Sequence, residues 1–206
     1  MSGIIKTLAT KPWLTGSDST GDPVDVAAFD LPQPKVGLRV FFAVATSLFL
    51  LFIFGYRLRM VYEDWVPVQE PMLIWINTAF LVLASVALQV AKAAAAADNR
   101  DRARWAFYAG GILSFLFIGG QLAVWQQLGA MGLFVSTNPA SSFFYLLTAV
   151  HGLHILGGLV AWGRVIGKFH PGVDFAEARM GIDLCTVYWH YLLVVWGVLF
   201  YLLLTT

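Results

Sequence analysis

The sequence predicts an all-α fold, a bundle of five transmembrane helices in a polytopic membrane protein, and three observations lead to this fold class. The 206 residues are 59% hydrophobic and only 12% charged, whereas a soluble domain has about 25% charged residues. The mean hydropathy is +0.73. Apolar runs of about 20 residues, the length that spans a bilayer as a helix, recur along the chain and leave no stretch for a soluble domain. The net charge of +1 argues against a nucleic-acid partner.

Residues 1–35 form a polar segment, and residues 36–206 form the predicted five-helix transmembrane domain. The segment is rich in Pro, Gly and Asp, and no apolar run directly follows a basic start, so it lacks the pattern of a signal peptide. Its end, DLPQPK at residues 30–35, predicts an extended lead into the first span. Two interpretations stay open: a solvated tail, or a segment that lies along the cytoplasmic face of a partner.

The first two spans are separate apolar runs. The first covers about residues 36–58 and contains one charge near its start, Arg39. The second covers about residues 71–91 and contains no charge. Each run is long enough to cross the hydrocarbon once as a helix.

The next two spans share one long uncharged stretch. Residues 105–163 contain no Asp, Glu, Lys or Arg. This uncharged stretch is too long for a single span. The turn-like sequence STNPASS at residues 136–142 divides the stretch into helices at about 105–128 and 143–163. The fifth span covers about residues 184–204, so five spans are predicted in all.

The distribution of basic residues predicts the orientation, because cytoplasmic loops of membrane proteins carry an excess of Lys and Arg. On the opposite side of the membrane the only basic residues are Arg57 and Arg59. The other eleven share one side and are Lys6, Lys11, Lys35, Arg39, Lys92, Arg100, Arg102, Arg104, Arg164, Lys168 and Arg179. This difference predicts a cytoplasmic N terminus and a C terminus outside.

Few polar side chains lie within the predicted spans, and each is a candidate site residue because an unpaired polar group in hydrocarbon is costly. They are Asn77, Gln121, His151, His154 and His190. No carboxylate lies deep in a span. Asp183 is expected at the cytoplasmic start of the fifth span, where a helix N terminus favours negative charge. Proton and cation transporters usually carry an intramembrane acid or base, and here only histidines could take that part.

Three roles are possible for the two histidines of the fourth span. His151 and His154 are three residues apart, which places both imidazoles on one face of a helix. With His190 they could bind a metal or haem, handle protons, or hydrogen-bond across helices as neutral imidazoles. The third role is favoured, because a single cysteine, Cys185, excludes a cysteine cluster and no convincing further ligand is present.

We therefore predict no catalytic, metal-binding or cofactor-binding residue in the chain. The two imidazoles of the fourth span are expected to hydrogen-bond to Asn77, Gln121 or His190, the nearest polar candidates in other spans.

Glycines in the third and fourth spans predict close helix packing, since small residues let helix backbones approach each other. These glycines are Gly110, Gly111, Gly119, Gly120, Gly152, Gly157 and Gly158. The alternative is a set of broken helices that line a transport site, but no proline interrupts the middle of a predicted span. The third and fourth spans are therefore expected to be neighbours.

Five stretches of the sequence together resemble subunit III of haem-copper terminal oxidases. The histidine-rich helix of that family is similar to LTAVHGLHILGGLVAW at 147–162, and its last helix is similar to VYWHYLLVVWGVLFYLL at 187–203. The other helices resemble LIWINTAFLVLASVAL at 73–88, FLFIGGQLAVWQQL at 115–128 and KVGLRVFFAVATSLF at 35–49. The five stretches follow the family's order.

Over about residues 35–204, the resemblance implies a five-helix bacterial form of subunit III in the inner (plasma) membrane. It implies an oxidoreductase subunit, from a cytochrome c or quinol oxidase, that has no catalytic centre and binds no haem or copper. Aerobic electron transport and oxygen reduction would take place in partner subunits that hold haem and copper. Subunit I would be in direct contact, with subunit II and possible small subunits as further partners.

The resemblance also implies two indirect roles, stabilising the catalytic subunit and holding bound phospholipid and other membrane lipids. The candidate residues for structural, lipid-contact or proton-side roles are His151, His154, His190, Gln121, Asn77, Trp189 and Asp183.

Three positions depart from the family pattern. Ala45 stands where the family usually has a glutamate, Leu193 where it usually has an aspartate, and Ala149 where it has a glycine. These departures weaken any carboxylate-dependent role. They leave open a related accessory protein of a nitric oxide reductase. A stand-alone transporter of a small solute and an intrinsic haem or metal enzyme are the alternatives of another class.

Overall fold

A computed structural model describes residues 33–68, 71–169 and 175–205, and its helices follow the apolar stretches of the sequence. Their bounds are α1 Gln33–Arg59, α2 Leu73–Ala96, α3 Arg100–Ala130, α4 Pro139–Ile166 and α5 Phe175–Leu204. A short 3-10 helix, Gly167–Phe169, follows α4. The described part of the chain contains no strand, and all five α-helices are long and apolar enough to cross a membrane. The predicted fold class is confirmed. Residues 1–32 of the predicted polar segment 1–35 lie outside the described residues.

The helices continue beyond the apolar windows at one or both ends, because a helix keeps its backbone hydrogen bonds as it leaves the hydrocarbon. In α2 the sequence KAAAA carries the helix to Ala96 through strong helix formers. At the start of α3, the Asn99 side chain caps the helix by accepting a hydrogen bond from the Arg102 amide at 3.1 Å.

The turn between α3 and α4 lies where STNPASS predicts it. Gly132, two residues after the end of α3, has a φ of +78°, a conformation that glycine adopts without steric cost. Asn138 then caps α4 by accepting a hydrogen bond from the Ser141 amide at 2.9 Å. Pro139 occupies the first turn of α4, where no amide donor is needed.

The connection between α1 and α2 contains one well-aligned ion pair. The Arg59 guanidinium donates to the Asp64 carboxylate, with Nη1 and Oδ1 2.7 Å apart. This hydrogen bond lowers the pKa of Asp64 below its usual value of 3.8. The pair fixes the chain as it leaves α1.

Inter-helix contacts define how the bundle is arranged. α5 packs against α1, α2 and α4, while α3 packs most extensively against α2 and also against α4. The order of paired residues shows the direction of each helix: Ser85 pairs with His190 and Thr78 with Trp196, so α2 and α5 are antiparallel. α1 and α5 are parallel, because Lys35 and Asp183 pair at one end and Thr46 and Tyr191 pair further along.

The predicted glycine packing is found at four of the seven positions. A Cβ at Gly110 or Gly120 would lie within 3.0 Å of α2 side chains, and one at Gly111 would lie 2.1 Å from Trp162 of α4. A Cβ at Gly158 would lie 2.6 Å from the Tyr188 ring of α5. The expectation that the third and fourth helices are neighbours is confirmed, but α3 uses two of its glycines to approach α2.

The core consists of large side chains from the four helices α2 to α5 and from one face of α1. Trp189, Trp196, Phe107 and Phe117 have no exposed surface at all. The outer faces are also apolar, and side chains such as Leu51 of α1 are about two-thirds exposed, at 68%. Such an outer surface suits hydrocarbon and would be unfavourable in water.

Candidate functional site

Asn77 and Gln121 form the polar centre of the α2–α3 contact. Asn77 Nδ2 donates to Gln121 Oε1 at 3.1 Å, and both side chains are buried. Gly120 makes this arrangement possible, because a Cβ there would lie 2.3 Å from Asn77 Oδ1. Asn77 Oδ1 and Gln121 Nε2 have no further partner among the described residues. The two amides therefore bond to each other and not to a histidine.

His151 is fully buried in an aromatic environment. Its ring centroid lies 5.1 Å from that of Trp196, 5.9 Å from Phe117 and 6.4 Å from Phe49. Within the part of the chain that the structure describes, neither ring nitrogen has a hydrogen-bond partner. The expectation that this imidazole bonds to another span is wrong, because apolar rings fill the positions around it.

His154 bonds within its own helix. Its Nδ1 lies 2.7 Å from the Val150 carbonyl oxygen, and Tyr188 of α5 donates its hydroxyl to the His154 carbonyl at 2.8 Å. The imidazole packs against α1, with its centroid 5.2 Å from that of Phe49. Because Phe49 contacts both imidazoles, His151 and His154 share one face of α4, as predicted. The predicted inter-helix bonds of His154 to Asn77, Gln121 or His190 are wrong.

His190 lies away from the other two histidines. Its Nδ1 is 3.0 Å from the Ser85 hydroxyl of α2, and the residue is exposed on the outer face of α5. Among the described residues, no group of three or more His, Cys, Asp or Glu could hold a metal ion. The structure therefore does not bring the three histidines together as a ligand set.

Trp189 is a buried hydrogen-bond donor at the centre of the bundle. Its Nε1 donates to Ser114 Oγ of α3 at 2.7 Å, and Ser114 in turn donates to the Gly110 carbonyl at 2.8 Å. Sequence reasoning selected Trp189 but not Ser114. The available signal was a hydroxyl residue on the same helix face as the packing glycine, four residues away.

Asp183 lies inside α5 and not at its N terminus. The helix begins at Phe175, so the predicted interaction of Asp183 with the helix terminus is wrong. The carboxylate is stabilised by two lysines instead: Lys92 Nζ lies 2.6 Å from Oδ1, and Lys35 Nζ lies 3.5 Å from Oδ2. The cluster joins α1, α2 and α5 near the end of the bundle that is predicted to be cytoplasmic.

A cavity of about 550 Å³ lies between α1, α4 and α5. Its lining is almost entirely apolar and consists of Pro34, Gly37, Leu38, Phe41, Leu153, His154, Gly157, Gly158, Ala161, Leu184, Cys185, Tyr188 and Trp189. Leu153 and Phe41 are exposed, at 67% and 41%, so the cavity opens on the outer surface. It has the size and chemistry to hold apolar chains, and its described lining residues include no carboxylate that could pair with His154 as an acid and base.

The sequence analysis did not predict this cavity. Gly37 and Gly157 leave space where a larger residue would fill it, since a Cβ at either position would meet nothing within 4 Å. Glycines at these positions on α1 and α4, two helices in contact, were the sequence signal that could have indicated the cavity.

Ala45 occupies the α1 face that approaches the histidines. It lies on α1 between Phe41 and Phe49, both of which pack against His154, and it is 3% exposed. A methyl group at this position offers no hydrogen bond. Leu193, the other position without the expected acid, packs against the apolar core.

Comparison with known proteins gives one consistent result. Residues 38–205 match the model of a family described as cytochrome c oxidase subunit III. The chain is 31% identical to cytochrome c oxidase subunit 3 of Thermostichus vulcanus over 194 residues, which cover 91% of this chain and 94% of the relative. It is 32% identical to cytochrome c oxidase subunit 3 of Synechocystis sp. over 175 residues, which cover 81% of this chain and 72% of that relative.

Proposed function

Since the chain belongs to the cytochrome c oxidase subunit III family, we propose that it is a non-catalytic subunit of a respiratory haem-copper oxidase. The observation that carries this proposal is the family match over residues 38–205, which include nearly all of the five described helices. Oxygen reduction and its haem and copper belong, in this proposal, to subunits I and II.

The dispersal of the polar residues supports an indirect role. His151 is enclosed by aromatic rings, His154 bonds within α4, and His190 faces outward. In the described residues these groups form neither an acid–base pair nor a ligand set, as an active site would require. The contribution of this chain is therefore structural: it packs against the catalytic subunit and slows the loss of activity during turnover.

The cavity supports a second part of the proposal, the retention of phospholipid. Acyl chains match its apolar walls, which include Pro34 and Leu184. The chain neighbours of these two residues, Lys35 and Asp183, belong to the charged cluster, which carries two lysines against one carboxylate. This surplus of positive charge suits a lipid phosphate. A lipid held here would fill the space between α1 and α4 and keep the two helices together.

The topology that we propose has the N terminus in the cytoplasm of a bacterium and the C terminus outside its inner membrane. It follows from the distribution of eleven basic residues on one side and two on the other. Residues 1–35 would then be cytoplasmic.

A tag on this chain tests the proposed assembly. Purification from native membranes in a mild detergent should yield subunits with haem and copper spectra and oxygen consumption with cytochrome c or quinol. A lone polypeptide that transports a solute, or co-purification with a nitric oxide reductase, would contradict the proposal.

Deletion of the gene tests the stabilising role. We expect haem spectra and initial turnover to remain close to those of the intact oxidase, because no redox centre is removed, while the half-life of activity during turnover becomes shorter. Re-expression of the chain should restore the half-life, and an unchanged half-life in the deletion strain would contradict the role.

A further inference from the structure

Two neighbouring residues of α5 attach this helix to both of its flanking helices at one depth in the membrane. The His190 imidazole bonds to Ser85 of α2 at 3.0 Å, and the Tyr191 hydroxyl bonds to Thr46 of α1 at 3.0 Å. The face on which α5 lies between α1 and α2, here called the α5 face, therefore carries a band of polar groups.

His190 is the member of this band that still has hydrogen-bonding capacity directed outward. Nδ1 is occupied by Ser85, whereas no partner for Nε2 is found among the described residues, and the residue is exposed. His190 follows Asp183 by seven residues, a distance of about 10 Å along a helix. It therefore lies within the hydrocarbon region, where no water is present to bond the free nitrogen.

Two other outer faces of the bundle present large apolar side chains. α1 presents Leu51 and Phe54, and α4 presents Leu153 and Val160, all more than half exposed. Acyl chains satisfy these side chains completely. They cannot satisfy Nε2 of His190, because a lipid tail has neither donor nor acceptor.

We infer that the α5 face, centred on His190, is the surface on which a transmembrane helix of the catalytic subunit packs. That helix presents a hydrogen-bonding side chain to Nε2 at the same depth. Val187 and Val194, one turn to either side of His190, are exposed and short enough to let a helix approach. The inference rests on the proposed function and adds the position and chemistry of the contact.

Site-specific photo-crosslinking in the complete complex tests the location. A benzophenone amino acid replaces Val194 on the α5 face or, as a matched control, Val160 on α4, and these valines are 66% and 57% exposed. Irradiation of native membranes should give an adduct with the haem-containing subunit from position 194 and lipid adducts only from position 160.

Two outcomes would overturn the inference and are distinguishable from a failure of the proposed function. If haem-containing subunits co-purify but position 194 crosslinks only to lipid, the partner packs elsewhere. If position 160 crosslinks to the haem-containing subunit and position 194 does not, the interface is on α4. If no haem-containing subunit co-purifies at all, the proposed function itself is wrong.

Substitutions at His190 test the chemistry. His190→Leu should weaken retention of the partner in detergent by roughly threefold, the effect of a typical hydrogen bond between transmembrane helices. His190→Gln, which keeps a donor and an acceptor, should retain the partner as the wild type does. Ser85→Ala removes only the internal bond and should also leave retention unchanged. Equal retention by His190→Leu and wild type, or equal loss in Ser85→Ala, would overturn the role of Nε2.

Discussion

Hydroxyl and indole groups make much of the inter-helix hydrogen bonding in this bundle. Trp196 donates to Thr78 at 3.0 Å, Trp189 donates to Ser114 at 2.7 Å, and Thr186 donates to the Leu88 carbonyl at 3.1 Å. Among the histidines that the structure describes, His190 makes one inter-helix side-chain bond, to Ser85. Individual polar residues in the spans should therefore differ widely in what they contribute to the free energy of unfolding.

His151 and Asn77 should respond differently to replacement by leucine. His151→Leu removes two nitrogens that have no partner among the described residues, so the free energy of unfolding should stay within about 1 kcal/mol of the wild type. Asn77→Leu deprives Gln121 of its donor and should lower the free energy by about 1–3 kcal/mol. Thermal unfolding in detergent, followed by tryptophan fluorescence, compares the two. Equal losses would show that His151 has a hydrogen bond after all.

Gly111 should not tolerate even a methyl group. In Gly111→Ala the new Cβ would lie 2.1 Å from the Trp162 ring, whose Nε1 donates to the Phe107 carbonyl at 2.9 Å. The displacement should lower the free energy of unfolding by about 1–3 kcal/mol. Gly119→Ala is the control, because a Cβ there meets nothing within 4 Å and alanine favours the helix. The same unfolding assay applies, and a stable Gly111→Ala protein would contradict the packing.

At the scale of helices, α5 is the element that connects the others. It bonds to α1 through Tyr191, to α2 through His190, and to α4 through the Tyr188 hydroxyl. α1 contacts the other helices chiefly along α4 and α5, and the cavity opens beside it. The looser attachment of α1 is the reason that space for a ligand exists here.

Filling the cavity should reduce the amount of bound lipid. Gly157→Leu adds a side chain to the lining without a steric conflict, since a Cβ at Gly157 meets nothing within 4 Å. We expect fewer phospholipid molecules per complex in a phosphorus assay after purification in mild detergent. Gly163→Leu is the matched control on the same helix, because Gly163 is equally free of neighbours but does not line the cavity. Equal phosphorus content in the two variants would count against lipid in the cavity.

At the scale of the whole molecule, the unequal distribution of basic residues predicts which end of the bundle faces the cytoplasm. Single cysteines at Ala97 and Thr205 measure this in a Cys185→Ser background. A membrane-impermeant maleimide should label position 205 once the cell envelope outside the inner membrane has been made permeable. It should label position 97 only after the inner membrane itself has been disrupted. The reverse pattern would contradict the orientation.

Much of this architecture is predictable from the sequence, since hydrocarbon permits few backbone structures and requires long apolar runs. The five helices, the turn before Pro139 and the shared face of His151 and His154 were all predicted. The partners of the polar residues were not, because they depend on the rotation of each helix about its axis. Asn77 and Gln121 bond to each other, and no spacing within one span contains that information.

The position of Asp183 shows a second limit. Apolar windows mark where hydrocarbon begins, but the helix itself starts at Phe175, several residues earlier. A helix terminus in the aqueous or headgroup region therefore cannot be located from hydropathy. The cavity was missed for a related reason, since an empty volume arises from residues of three helices at once.

The bonds made by α5 also have a consequence for biosynthesis. A ribosome releases α5 after the other four described helices, so these enter the membrane with Ser85, Thr78 and Thr46 still without their α5 partners. α2 and α3, adjacent in the chain and in extensive contact, can pair as they are made, whereas α1 gains most of its contacts only when α4 and the 30-residue α5 have been made. A nascent chain that stops before α5 therefore leaves these three hydroxyl groups without their inter-helix partners.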